Sequence, residues 1–107
     1  MAAKNIGREE FEKILSGEKP VLVDFWAPWC GYCRRIGSAY DRVAQQYEGE
    51  LEVVKVNIDE EPQLSELEHI EVIPTLVLYR KGQAIGSIVA PESKAMIDRF
   101  IAETLDK

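Results

Sequence analysis

The stretch "VLVDFWAPWCGYC", Val21 to Cys33, joins an apolar run to two cysteines separated by two residues. Around Asp24 the run is valine, leucine, phenylalanine and tryptophan, the composition of a strand covered on both faces. After Gly31 the pattern changes. Ile36, Tyr40, Val43 and Tyr47 recur at intervals of three and four, which predicts one helix running to about Gly49. The cysteines therefore lie where a buried strand ends and a helix begins.

Working outward, Phe11, Ile14 and Leu15 line one side of a short helix over Arg8 to Leu15, stopped near Gly17 and Pro20. "LEVVKVNI" (Leu51 to Ile58) reads as a second strand. Pro62 opens a short helix, where its missing N–H is not needed, and Leu64 and Leu67 form the inner side. "TLVLYR" (Thr75 to Arg80), the turn "KGQ" (Lys81 to Gln83) and "AIGSIVA" (Ala84 to Ala90) read as a hairpin. Ser93 can cap a last helix whose face carries Ile97, Phe100, Ile101 and Leu105. "AAKNI" leaves room for a brief edge strand at most.

Two strand-helix-strand units of right-handed winding and a closing hairpin predict an α/β protein. Its central mixed β-sheet is flanked by helices on both faces. In such sheets functional groups gather beyond the carboxyl ends of the central strands. That is where the cysteines fall.

The 107 residues fit a single domain, 1–107, with 46% hydrophobic and 30% charged residues, a globular composition. A net charge of −6 opposes nucleic-acid binding, which needs a basic stripe, and opposes anionic membrane surfaces. No apolar stretch approaches the roughly 20 residues that span a bilayer. "MAAKNIGREEFEK" lacks the cationic start and apolar centre of a secretory signal. These features predict a cytoplasmic protein that meets neither nucleic acid nor membrane.

Three readings of the cysteine pair compete. As a staple it would close too short a loop to restrain the unfolded chain much. As a metal site it lacks ligands, since the chain has two cysteines and one histidine, His69, where a closed zinc site takes four. A zinc or iron–sulfur centre would have to be shared between chains. As an exchanging pair it fits. Cys30, near a helix N-terminus, faces unpaired N–H groups and the positive dipole end, both favouring thiolate. Cys33 falls on the same side, with β-carbons about 5–6 Å apart in ideal helix geometry, close to the distance a disulfide spans. Cys30 would attack a substrate disulfide and Cys33 would resolve the mixed disulfide.

"FWAPWCGYC" followed by "VIPT" closely resembles the thioredoxin family, and the likeness in element order covers nearly the whole chain. The resemblance implies the thioredoxin fold and a reductase of protein disulfides. It also implies a monomer with no bound cofactor whose Cys30–Cys33 disulfide is returned to the dithiol by a thioredoxin reductase. Asp24 matches the family's buried aspartate, which exchanges protons with the resolving Cys33, and Lys55 the lysine near it. Pro74 matches the cis-proline beside the dithiol. Trp29, Gly31, Tyr32, Ile58, Ile73, Val89 and Ala90 fall where the family docks its substrates, although Ile58 and Val89 also fit the core.

Departures from the family pattern carry their own expectations. Gly31-Tyr32 replaces the usual Gly-Pro. A tyrosine in that slot is similar to glutaredoxins, but no Gly-Gly pair follows "VIPTLVLYR" as theirs does. Tyr32 restores a backbone N–H that a proline lacks. Aimed at the Cys30 sulfur it would stabilise the thiolate and make the pair a weaker reductant, toward an oxidase or isomerase. Ser38 stands where many members have a helix-kinking proline, which predicts a straighter helix after Cys33. Arg34 and Arg35 read as solvated helix surface or as positive charge beside the thiolate. Outside catalysis, the remaining reading is a binding module that keeps the fold.

Overall fold

The computed structural model describes residues 2–106. Along the chain the elements are β1 (Lys4–Asn5), α1 (Arg8–Leu15), β2 (Val21–Trp26), α2 (Gly31–Arg35), α3 (Gly37–Gln46), β3 (Glu52–Asn57), α4 (Pro62–Leu67), β4 (Thr75–Arg80), β5 (Gln83–Val89) and α5 (Lys94–Leu105). The strands form one mixed sheet in the order β1-β3-β2-β4-β5. The brief edge strand that the sequence leaves room for is β1, two residues parallel to β3.

Strands β2 and β3 are parallel, joined by α2 and α3, whereas β4 lies antiparallel to β2 and β5 antiparallel to β4. Only the first of the two expected right-handed units therefore exists. In the second, β4 runs antiparallel to β2 and therefore to β3. The chain instead reverses at the carboxyl end of β3 and enters β4 from there. The hairpin turns on Lys81 and Gly82, both at positive φ (54° and 81°), the geometry of a two-residue turn that matches strand twist.

Alternation along the strands divides the core into two layers. Val21, Val23 and Phe25 join Val54, Val56, Val77 and Tyr79 beneath Phe11 of α1 and Leu64 of α4. On the other face Leu22, Leu76 and Leu78 meet Ile36, Tyr40, Val43, Ile97 and Ile101 from α2 to α5. The buried Tyr40 hydroxyl lies 3.1 Å from the Leu22 carbonyl and 2.7 Å from that of Val54, bridging β2 and β3. Helix α5 crosses β5 so closely that a Cβ at Gly86 would sit 2.9 Å from Thr104 Cγ2. Ser93 accepts the Met96 N–H at the start of α5, the predicted cap.

The helix after Cys33 departs from expectation. The apolar spacing predicts one helix; the structure has two, meeting at Ile36 (φ −86°, ψ −1°). Ile36 is drawn into the second core layer in a near-bridge backbone conformation. Gly37, a poor helix former, follows it. The break thus precedes Ser38 and does not depend on a proline there.

Candidate active site

Cys30 is the N-cap of α2, with extended backbone (φ −85°, ψ 107°), and its sulfur accepts the Cys33 N–H at 3.2 Å. An N-cap side chain receives a hydrogen bond from the second or third helical residue, and here it is the third. That corrects the expectation for Tyr32. The N–H meeting the sulfur belongs to Cys33, so the argument for a weaker reductant loses its contact. The two cysteines are disulfide-bonded with Cα atoms 5.3 Å apart. Cys30 is half-buried, while Cys33 is only 4% exposed.

The Tyr32 side chain turns toward the β5–α5 loop, its hydroxyl 3.2 Å from the Pro91 carbonyl. Arg34 folds back to donate to the Pro28 carbonyl at 2.6 Å, pinning the loop before Cys30, whereas Arg35 is exposed. Neither residue's contact was legible in the sequence, because each partner lies outside the helix.

Asp24 sits in mid-strand, 1% exposed, with Oδ1 lacking any hydrogen-bond partner. Burial pushes its carboxyl up to about 7, against the opposing pull of the Lys55 charge. Lys55 is its register neighbour on β3, yet the ammonium rests over the Trp26 ring, 4.3 Å from the centroid. The lysine acts on Asp24 through space, with no ion pair between them among the described residues.

Three loops meet at one end of the sheet. Phe25 pairs with Thr75 and Thr75 with Val89, so the ends of β2 and β5 flank the start of β4. The Ile73–Pro74 peptide is cis, and the Ala90 N–H donates to the Pro74 carbonyl at 2.9 Å. Ala90 takes a left-handed conformation (φ 46°). Pro74 is buried; Ile73 and Ala90 are half-buried, and Gly31 is exposed.

Trp29 is 66% exposed and its indole N–H donates to Asp59 at 2.9 Å. Val89 is 54% exposed and so stands outside the core. Ile58 is half-buried and packs against the first core layer. Two residues beside the named ones lie outside the sequence reading. Val72, 53% exposed, adjoins Ile73 in "VIPT", and Asp59 holds Trp29. The only hint for either was adjacency to a named residue.

Among the described residues no three His, Cys, Asp or Glu side chains are grouped as a metal would require. No helix of the described residues is long and apolar enough to cross a membrane.

The family model named Thioredoxin matches residues 2–103. Thioredoxin 1 of Nostoc sp. is 45% identical over 96 residues, 90% of this chain and 86% of that protein. Thioredoxin of Synechocystis sp. is likewise 45% identical over 96 residues, with the same 90% and 86% coverage. Among solved structures, a Plasmodium falciparum thioredoxin matches with a TM-score of 0.86 at 30% identity, covering 94% of this chain and 98% of the other. Mitochondrial thioredoxin 3 of Saccharomyces cerevisiae, in its oxidized form, gives 0.82 at 27% identity, with 95% and 94% coverage.

Proposed function

Because the chain belongs to the thioredoxin family and is a thiol–disulfide oxidoreductase, we propose that it reduces disulfides in other proteins with Cys30 as attacking and Cys33 as resolving sulfur. The unequal burial of the two sulfurs carries this reading. Cys30 is reachable and has a backbone N–H directed at its sulfur, which favours the thiolate. Cys33 is shielded from outside disulfides but within bonding reach of Cys30.

In the first step the Cys30 thiolate attacks one sulfur of the substrate disulfide. A mixed disulfide forms and the other substrate sulfur leaves as thiolate. Cys33 then attacks the Cys30 sulfur, passing its proton to the Asp24 carboxylate, and the second substrate thiolate departs. Two electrons have moved from the dithiol to the substrate. Asp24 suits the proton step because its carboxyl titrates at about 7, where acceptance and return of a proton are both easy. Lys55 tunes it by charge.

An extended substrate segment lies along the Ile73–Pro74 and Val89–Ala90 backbone. Its apolar groups meet Trp29, Val89 and the exposed part of Ile58, and its cysteine meets Gly31-Tyr32. A thioredoxin reductase restores the dithiol with no cofactor held by this chain. The reading includes a monomer working in the cytoplasm, where such dithiols are kept reduced.

Substituting the resolving sulfur tests the assignment. Cys33→Ser stalls the cycle at the mixed disulfide, so substrates remain covalently attached through Cys30 and are released by added dithiol. Cys30→Ser captures none. Equal capture by both variants, or no capture by Cys33→Ser where another thioredoxin so altered captures many, overturns it.

A further inference from the structure

Between the end of β5 and the start of α5, residues Ala90 to Glu92 form a short loop on the docking side. Each of its ends is tied by a bond of its own. The Ala90 N–H is bonded to the Pro74 carbonyl, and Ser93 caps α5 through the Met96 N–H. Between them lies buried Pro91, whose carbonyl receives the Tyr32 hydroxyl across 59 positions of sequence. The phenol ring also packs against the second core layer, and with Ile36, Pro91 and Ile97 it lines a cleft of about 240 Å³.

The two bonds, Tyr32 to Pro91 and Ala90 to Pro74, link the dithiol helix, the β5–α5 loop and the cis-proline loop into one chain of contacts. The Gly-Pro insert usual in the family has no hydroxyl for the first of them. We propose that Tyr32 is a positioning residue for substrate specificity: its phenol ties α2 to the β5–α5 loop and holds the docking edge in one shape for protein disulfides. This rests on the reductase reading above. A protein substrate touches all three loops, so a preset edge spares it the ordering of the loop on binding. A small disulfide touches little beyond the sulfur and gains less.

Tyr32→Phe keeps the ring and removes the tether. At 3.2 Å the bond is long for O–H···O, so the effect belongs in the lower part of the range for a neutral hydrogen bond. We expect kcat/KM for a protein disulfide such as insulin to fall about two- to fourfold more than kcat/KM for a small aromatic disulfide, mostly through KM. Amide exchange at Ala90 should quicken by a similar factor while core amides such as Val56 and Leu78 do not. A merely structural role would speed core and loop together. Equal losses on the two substrates, or unchanged exchange at Ala90, overturns the proposal. Should the unaltered protein reduce neither disulfide, the reductase reading fails, and the exchange comparison still decides whether the tether exists.

Discussion

Replacing Asp24 with asparagine should remove the loss of stability that this buried carboxyl imposes as pH rises from about 4 to about 7. In the folded chain its carboxyl is pushed from an ordinary 3.8 up to about 7 by burial. Between those two values the folded state holds a proton that the unfolded state has released. Stability rises with pH only where the unfolded state binds more protons; here the folded state does, so stability falls as pH rises. Below 3.8 the residue costs nothing through titration, and above 7 its cost is complete.

Three units at 1.36 kcal/mol each give a full cost of about 4 kcal/mol, of which about 3 kcal/mol accrues between pH 4.5 and 8.5. Asp24 is 1% exposed, so solvent screening does not discount the figure. Against the roughly 5–15 kcal/mol by which small domains are stable, the cost is large. Guanidinium unfolding of the oxidised protein and of Asp24→Asn, at half-unit steps of pH, isolates it, because every other group titrates in both proteins. The difference in stability should grow in favour of the variant through the interval and level off above pH 7.5. Parallel curves would refute the buried Asp24 with raised titration that underlies the proton step.

Two further outcomes follow from neighbouring contacts. Lys55→Met takes away the charge that lowers Asp24, so the Asp24 inflection, followed by the carboxyl carbon shift, should move upward; an unmoved inflection would mean the ammonium acts on the Trp26 ring alone. Tyr40→Phe strips the hydroxyl shared by the Leu22 and Val54 carbonyls and should cost about 1–3 kcal/mol in urea unfolding at unchanged slope, whereas a loss below about 0.5 kcal/mol would show the bridge to be dispensable.

Local rules were readable where local chemistry decides. Thr75–Arg80 is the strand the sequence marks, Ser93 caps the helix it precedes, and the cysteines open a helix after a buried strand. Legibility ended where two distant segments decide together. Apolar spacing runs through Ile36 without a gap, because the residue is buried on either side of the break, so the pattern predicts one helix where two exist. The antiparallel entry of β4 is a property of sheet topology, and no periodicity records it. Asp59 and Val72 carry nothing of their own to distinguish them from ordinary surface. Tyr32 was conspicuous, but its backbone drew attention while its side chain makes the contact, with a carbonyl that every residue possesses.

The break at Ile36 also changes where the reactivity of Cys30 comes from. A helix dipole acts only over its end turns, and α2 is a five-residue segment closed off from α3. The sulfur is served by one neighbouring amide, that of Cys33, and by the loop that Arg34 clasps at Pro28. Its activation therefore comes from within the segment Pro28 to Arg34, whereas the placing of that segment depends on contacts outside it, Trp29 with Asp59 and Tyr32 with Pro91.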